Sequence, residues 1–484
     1  NALVYFLFGD NDTTARLAPV ITGLGVVYMA WLFRRYLGRT GALCAGVMLT
    51  ISPSLLFHSR YIRDDIYIAL FLMIWIYGAF RYLDTHNKKW LMAVALGMVF
   101  GILSMEAHFI SGAILGAFFT GLALWQTWRQ ENNRRSFWTA LRHNPSADLA
   151  ILMMTLVLPF TAPFLHLAIG GDVKIFAAME NLANKDLMRF GALELVVILL
   201  SVAIAYYWYG MRRAQDEEQQ ASLIHFGEWG RLMTIFWVIA ILFYTTFLTN
   251  TKDGLATGIV GSLGYWLAQQ GVARGGQPMY YYLLIGWMYE FLPIILSLVG
   301  MAVVARNLIQ KPDWDPVPTF ELAQDEAELE AAKNAGEPER LRQNRTYFAL
   351  FSIWWVIGAW VAFTLAGEKM PWLLTHMALP MCVFGGWYFG RLLHQIDWGQ
   401  ALRNQAVWLI GIAPALIVIL AVLFGAGPDT DKSLGSVAGV LQAILGIALA
   451  GGLVYLAWYW SSKIGWPNGV RLLSLGVVTL LFLL

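Results

Sequence analysis

The chain has 484 residues, of which 58% are hydrophobic and 13% are charged, and its formal net charge at pH 7 is +2. Soluble domains carry about 25% charged residues, so this composition excludes an ordinary soluble enzyme. The small net charge gives no indication of a nucleic-acid partner. The apolar runs are long and unbroken, which excludes a membrane β-barrel, whose strands alternate between apolar and polar residues. At about 20 residues per span, the length accommodates roughly 12 to 14 transmembrane helices.

The apolar runs predict an all-α, polytopic membrane protein with about 13–14 spans. The spans are predicted near residues 15–33, 42–57, 66–82, 90–105, 108–125, 149–169, 191–209, 230–248, 281–305, 347–365, 373–391, 405–425 and 436–460, and from 470 onward. Lysine and arginine residues concentrate in every second loop, which predicts that those loops face the cytoplasm. The intervening loops, which hold most of the unusual polar residues, are then predicted to face outside.

Three regions are predicted along the chain. Residues 1–305 form a transmembrane core with external loops, residues 306–346 form a charged cytoplasmic linker, and residues 347–484 form the C-terminal transmembrane helices. The linker is rich in Glu and Ala and contains no catalytic motif. Cys44 and Cys382 lie in apolar runs, so we expect neither a disulfide nor a metal site there.

The first candidate site lies between the second and third spans, in the sequence Ser59-Arg60-Tyr61-Ile62-Arg63-Asp64-Asp65. Charges at the edge of a membrane are costly unless they are paired or used. Arginine can bind a phosphate with two hydrogen bonds, and a carboxylate can bind a cation or a sugar hydroxyl. The alternative is an Arg-Asp ion pair that only ends two helices.

The second candidate site is the short break that contains Glu106 and His108. These two side chains could bind one cation or act as acid and base. A complete metal site would require Asp65 as a third ligand. The alternative is a hydrogen-bonded break between two spans.

The third candidate site is the loop at residues 249–282. Residues 254–270 predict a helix that lies on the membrane surface over an external site, with Tyr265 and Trp266 at the interface. Arg274 follows among glycines and is a candidate phosphate contact. An anchoring helix with a glycine-rich turn is the alternative.

Two further positions carry charge where the chain is otherwise apolar. Glu368 and Lys369 precede Trp372 in a short loop, as a local ion pair or as a ligand clamp. Glu290 is predicted near the middle of its span, where a carboxylate is either functional or protonated and hydrogen-bonded between helices.

The motifs of these loops carry a family resemblance. The sequences LFGDNDTTARLAPVITG, SRYIRDDIY, YWLAQQGVARGGQPMYYYL, YEF and AGEKMPWL resemble the flippase-activity-associated family of membrane proteins. That family is similar to the GT-C glycosyltransferases, which include protein O-mannosyltransferases and the lipid A aminoarabinose transferase. The resemblance covers residue 3 to about residue 392.

The resemblance implies transfer of a sugar, with inversion, from a polyprenyl-phosphate-linked donor outside the cytoplasm. Asp65, with Asp64 beside it, matches the second acidic motif of GT-C enzymes, and Arg60 and Arg63 would face the donor phosphate. Glu106 matches the acid of a Lys-Glu pair, but Met105 occupies the lysine position. The acid of the first external loop, which usually acts as the base, is expected upstream of Asn1.

The sequence therefore predicts a glycosyltransferase of the cell membrane whose site faces outside. Arg274 and Lys369 would neutralise the phosphate leaving group, and residues 254–270 would cover the site. The expected ligands are a polyprenyl-phosphate sugar or another anionic lipid, with a divalent metal ion as one possible cofactor, and membrane-protein partners are compatible with the apolar surface. The alternative is a non-catalytic partner in the flipping of lipid-linked glycans, or a scaffold subunit of a larger complex.

Overall fold

The structure is a computed structural model that describes residues 2–130, 134–181, 184–212, 223–271, 276–310, 314–317, 337–424 and 437–483. These described residues are helices and their connections, without a β-strand. The predicted all-α fold is therefore confirmed.

The α-helices are numbered here in chain order. They are α1 (Ala2–Phe8), α2 (Asp12–Leu32), α3 (Arg34–Leu37), α4 (Arg39–Ile51), α5 (Pro53–His58), α6 (Asp65–Thr85), α7 (Lys89–Ser104), α8 (His108–Gln130), α9 (Arg134–Leu141), α10 (Pro145–Val157), α11 (Ala162–Ala168), α12 (Asn184–Ala205), α13 (Phe226–Tyr244), α14 (Thr251–Leu255), α15 (Ser262–Gln270), α16 (Tyr281–Tyr289), α17 (Phe291–Gln310), α18 (Glu337–Leu365), α19 (Leu374–His394), α20 (Trp398–Arg403), α21 (Leu409–Phe424), α22 (Val437–Ile464) and α23 (Trp466–Leu483). Short 3₁₀ turns occupy Leu158–Thr161, Val173–Asn181, Pro371–Leu373 and Ala406–Trp408, and π turns occupy Tyr206–Gly210 and Ala256–Gly261.

Within the described residues, ten helical segments are long and apolar enough to cross a bilayer. Three shorter apolar helices accompany them, at Arg39–Ile51, Lys89–Ser104 and Trp466–Phe482. The chain is thus a multi-pass membrane protein.

Two segments differ in detail from the predicted spans. The run at 281–305 is broken at Glu290 into α16 and α17, and α17 is by itself long enough to cross a bilayer. Pro293 lies in the first turn of α17, where its missing N–H is tolerated, so a helix can begin there. Residues 337–346, predicted to belong to the linker, continue directly into the span as the first turns of α18.

The chain divides into two compact units, Asn1–Gly386 and Trp387–Leu484. The candidate site residues all belong to the first unit. The second unit has its own apolar core, which includes Ile396, Leu409 and Leu472.

Helices α6 and α7 approach each other closely because glycines lie between them. A Cβ atom on Gly97 of α7 would lie 2.7 Å from the carbonyl oxygen of Phe71 and 2.8 Å from the Cβ of Trp75, both on α6. On the other helix, a Cβ on Gly78 would lie 2.9 Å from the carbonyl oxygen of Trp90. Small residues at helix contacts stabilise membrane bundles by allowing this backbone contact, and here they fix the position of α6, whose first residue is Asp65.

Gly97→Ala is therefore expected to destabilise the protein by about 1–3 kcal/mol, because the new methyl group must push two backbones apart. Gly116→Ala on α8 is the matched control, since a Cβ there would meet no atom within 4 Å. The control should be neutral or slightly stabilising, as alanine favours helix. Thermal unfolding of both purified variants measures the difference, and equal unfolding temperatures would contradict the packing argument.

Candidate functional site

The loop between α5 and α6 brings its charged residues to the first turn of α6. Asp65 is the first residue of that helix and is completely buried. Asp64 precedes it as the N-cap residue and is exposed, as is Arg60. A carboxylate is favoured at this position because the amino end of a helix carries partial positive charge.

The carboxylate of Asp65 contacts two basic side chains. Its Oδ2 accepts a hydrogen bond of 3.1 Å from Nε of Arg63, and its Oδ1 lies 3.4 Å from Nε2 of His376 on α19. The guanidinium of Arg63 lies over the ring of Trp372, 3.8 Å from the ring centre. Arg63 is thus held between an acid and an aromatic face, and its side chain remains 32% exposed, which leaves part of it accessible to a ligand.

A second histidine lies beside this cluster. Nδ1 of His58 is 2.8 Å from the carbonyl oxygen of Ser54 and 2.9 Å from the hydroxyl of Thr375, which directly precedes His376. Burial lowers the pKa of His58, so its ring is neutral at neutral pH. The contacts join the end of α5 to the beginning of α19, which fixes His376 opposite Asp65.

Glu290 supports the same region from a distance. It is completely buried, and its Oε1 accepts hydrogen bonds from the hydroxyl of Ser52, at 2.8 Å, and from the backbone N–H of Ser54, at 3.0 Å. It therefore caps the first turn of α5 and lies at a helix break, whereas the sequence predicted a position inside a span.

The loop 366–372 is anchored by two neighbouring helices. The Gly367 N–H donates a 2.7 Å hydrogen bond to Oε1 of Gln270 at the end of α15, and the Met370 N–H donates one of 3.0 Å to the hydroxyl of Tyr282 on α16. Lys369 is buried, and its Nζ donates to the carbonyl oxygen of Ala366 at 3.0 Å. One of the three N–H groups of this ammonium is thus used within its own loop, and the contact of Lys369 with phosphate stays a prediction.

Glu106 and Glu368 line one small cavity of about 50 Å³, together with Tyr265 and Trp266. The other described lining residues are Met105, Ala107, Ile110, Gln269, Phe363, Ala366 and Leu373. No lysine or arginine is among them, and Met105 directly precedes Glu106. Phe363 also stacks on His376, with ring centres 5.1 Å apart, so this cavity and the Asp65 cluster share one aromatic wall.

The segment predicted to form a helix on the membrane surface is helical, and it lies next to that cavity. Residues 251–270 are helical through α14, a π turn and α15, and Gly264 packs against the ring of Phe176. Tyr265 and Trp266 face the cavity from this segment. Arg274 lies outside the described residues.

His108 belongs to a different environment. It is buried at the start of α8, its ring centre lies 5.3 Å from that of Trp75, and its ring fills the space next to Gly101. In the part of the chain that the structure describes, no group of three or more His, Cys, Asp or Glu side chains is arranged to hold a metal ion. The combination of Asp65, Glu106 and His108 proposed for a metal is not gathered in such a group.

Sequence reasoning missed His58, Thr375 and His376. His376 lies inside an apolar run, and an ionisable residue within a membrane segment is by itself a signal of function. The sequence contains that signal, but Asp65, which His376 contacts, lies far away along the chain. Only the fold brings the two residues together.

Comparison with known proteins identifies a similar family. Residues 1–165 match the family model described as dolichyl-phosphate-mannose-protein mannosyltransferase. No curated protein and no solved structure matches the chain. The matched segment contains Arg60, Arg63, Asp64, Asp65 and Glu106, so the acidic start of α6 belongs to the part of the chain that is similar to membrane mannosyltransferases.

Proposed function

We propose that this protein is a membrane glycosyltransferase of the GT-C type, which transfers a sugar from a polyprenyl-phosphate donor to an acceptor. The observation that carries this proposal is the buried carboxylate of Asp65, held by Arg63 and His376 within the segment that matches the mannosyltransferase family. Burial of a charged carboxylate at the edge of a membrane costs free energy, and such carboxylates are typical of catalytic and ligand-binding sites.

The proposed reaction is a single displacement. An acceptor hydroxyl oxygen attacks the anomeric carbon and releases its proton to solvent, the bond from that carbon to the phosphate oxygen breaks, and the phosphate leaves with the bonding electrons. Arg63 and the exposed Arg60 would neutralise the negative charge on the leaving phosphate. Asp65 would orient the donor by accepting hydrogen bonds from sugar hydroxyls, and His376 would position its carboxylate.

The cavity beside Glu106 would hold part of the ligand. Two carboxylates there, Glu106 and Glu368, favour hydroxyl groups over phosphate, since acids repel an anion. In this proposal Arg60 and Arg63 face the phosphate of the donor, Asp65 faces the hydroxyls of its sugar, and the cavity receives acceptor or sugar hydroxyls.

The side of the membrane is also a proposal. Arg34, Arg35 and Arg39 follow α2, and Lys88 and Lys89 follow α6, at the opposite end of α6 from Asp65. Because basic residues favour the cytoplasmic side, we infer that Asp65 faces outside. Transfer would then occur at the outer surface of the plasma membrane.

A non-catalytic role in the flipping of lipid-linked glycans is a second candidate. Met105 favours it, because the family that the sequence resembles has a lysine at this position beside Glu106. The described residues that line that cavity also include no lysine or arginine. A protein of this kind would bind the lipid-linked sugar and leave the glycosidic bond intact.

A transfer assay distinguishes the two candidates. The purified protein, in vesicles, is incubated with radiolabelled polyprenyl-phosphate sugars and an envelope-protein extract, and both the donor and the labelled acceptor are quantified. We expect label to move to the acceptor with the wild type, and about a hundredfold or more slowly with Asp65→Asn. If every donor tested binds without loss of its sugar, the result would contradict the proposed glycosyltransferase activity and favour a role in flipping.

A further inference from the structure

A second, larger cavity lies at the other end of the helices that carry the candidate site. It has a volume of about 680 Å³ and is lined by His86, which follows α6, by Arg129 near the end of α8, and by Arg340 in the first turn of α18. Asp65 begins α6, and the loop 366–372 follows α18, so the two sites lie at opposite ends of these helices. A helix of about 20 residues is about 30 Å long, which equals the thickness of the hydrocarbon layer.

The cavity is basic. Arg129, Arg340 and Arg342 line it, and no acidic side chain does so in the part of the chain that the structure describes. Burial and the charge of Arg340 lower the pKa of His86 to about 4, so that histidine is neutral and the arginines supply the charge. Three guanidinium groups around one cavity favour a phosphate, which arginine binds with paired hydrogen bonds.

Neutral hydrogen-bonding groups form another wall of the cavity. Oε1 of Gln126 accepts hydrogen bonds from Nδ2 of Asn144, at 3.1 Å, and from the hydroxyl of Ser146, at 3.0 Å. Asn144 in turn caps α10 through the backbone N–H of Ser146, at 2.8 Å. These bonds tie α8 to α10, so the cavity has a wall that does not depend on a ligand for its position.

An apolar groove adjoins the basic cavity. It has a volume of about 310 Å³, lies between α8 and α18, and shares Trp125 with the cavity. The groove is lined by Ala117, Phe118, Gly121, Leu122, Leu350 and Trp354 as well. At the end of the groove away from Trp125, a hydrogen bond holds the two helices together. Nε1 of Trp354 donates it to the carbonyl oxygen of Ile114, at 2.8 Å. The groove thus begins at the basic cavity and follows the membrane-spanning helices.

We propose that the cavity and the groove together bind an anionic phospholipid, with its phosphate among Arg129, Arg340 and Arg342 and one acyl chain between α8 and α18. Basic residues at a cytoplasmic face also serve to orient membrane proteins. That role requires neither a cavity nor an adjoining apolar groove, and a soluble phosphate would make no use of the groove. A lipid uses both features and reaches them from the bilayer.

Lipid binding to the full chain in detergent tests the proposal. Native mass spectrometry measures the apparent affinity for dioleoylphosphatidylglycerol. The comparison ligands are dioleoylphosphatidylcholine, a zwitterionic lipid without net charge, and soluble glycerol phosphate. We expect phosphatidylglycerol to bind most tightly. The double variant Arg129→Gln with Arg340→Gln should weaken its binding by about tenfold or more, since two charge-assisted contacts are lost.

Matched variants separate the head-group site from the groove. Arg34→Gln with Arg306→Gln removes two arginines that do not line the cavity, and it should leave the affinity unchanged. Gly121→Leu places a side chain in the groove, where a Cβ meets no atom within 4 Å, and Gly116→Leu on the same helix is its control because a Cβ there meets no atom either. Gly121→Leu should weaken phosphatidylglycerol binding severalfold and leave binding of glycerol phosphate unchanged.

Two outcomes would overturn the proposal. One is an equal loss of lipid binding in the two double-arginine variants, which would mean that any surface charge suffices. The other is glycerol phosphate binding as tightly as the lipid with no effect of Gly121→Leu, which would indicate a site for a soluble anion. Thermal unfolding of each variant shows whether it remains folded. If the arginine variants do not fold, Gly121→Leu, which retains every arginine, still tests the proposal.

Discussion

Asp65→Asn is expected to lower the rate of sugar transfer by about two orders of magnitude or more, because the carboxylate that orients the sugar of the donor is lost. Asparagine has nearly the same shape, so the site keeps its volume. The substitution removes the negative charge that Arg63 and His376 contact. The initial rate of transfer from a polyprenyl-phosphate sugar, at saturating donor, measures the effect.

Asp172→Asn is the control, since Asp172 is exposed and lies outside both the Asp65 cluster and the Glu106 cavity. It should transfer sugar at the wild-type rate. Unchanged turnover in Asp65→Asn would contradict the role given to Asp65, whereas absence of transfer by the wild type would contradict the proposed reaction itself. The two failures are therefore distinguishable.

His376 provides a second measurement at the same site. If it acts only by positioning the carboxylate, His376→Gln should slow transfer less than Asp65→Asn does. The double variant should then be no slower than Asp65→Asn alone, because both changes act on one group. Additive losses would instead assign His376 a separate role, such as a direct contact with the donor.

The fold was largely predictable because a bilayer restricts what an apolar run can form. A backbone in hydrocarbon must satisfy its own hydrogen bonds, so a long apolar run becomes a helix. The break at Glu290 was not predictable in this way. It depends on a tertiary contact, the cap that Glu290 provides to Ser52 and Ser54, and hydropathy contains no information about such a contact.

The candidate site was predictable only where its residues are neighbours in sequence. Arg63 and Asp65 are two positions apart, and their pairing is one of the two readings that the sequence allowed. The approach of His376 and Trp372 to that pair depends on the packing of α19 and its preceding loop against α5 and α6. The hydrogen bond from Nζ of Lys369 to the carbonyl oxygen of Ala366 within its own loop was likewise not predictable from the sequence.

The largest loss of stability is expected from Asp148→Ala, about 3–5 kcal/mol, because it would leave a buried arginine without its counter-charge. Asp148 is completely buried, and its carboxylate forms two hydrogen bonds with Arg212, of 2.6 and 2.7 Å. The same carboxylate accepts from Nε1 of Trp208 and from the backbone N–H of Ile224, each at 2.9 Å. One side chain thus connects α10 to the segments on both sides of residues 213–222.

Two comparisons test whether the buried charge is the cause of that loss. Lys88→Gln removes an ion pair of 2.9 Å with Glu228 that is about one-quarter exposed at both partners, and such a pair contributes about 0–1 kcal/mol. Asp148→Leu combined with Arg212→Met replaces both buried charges with apolar side chains, which should recover much of the stability lost in Asp148→Ala. Thermal unfolding in one detergent compares the three proteins with the wild type. If the double variant were less stable than Asp148→Ala, the hydrogen bonds to Trp208 and Ile224, and not the uncompensated charge of Arg212, would be the main contribution of Asp148.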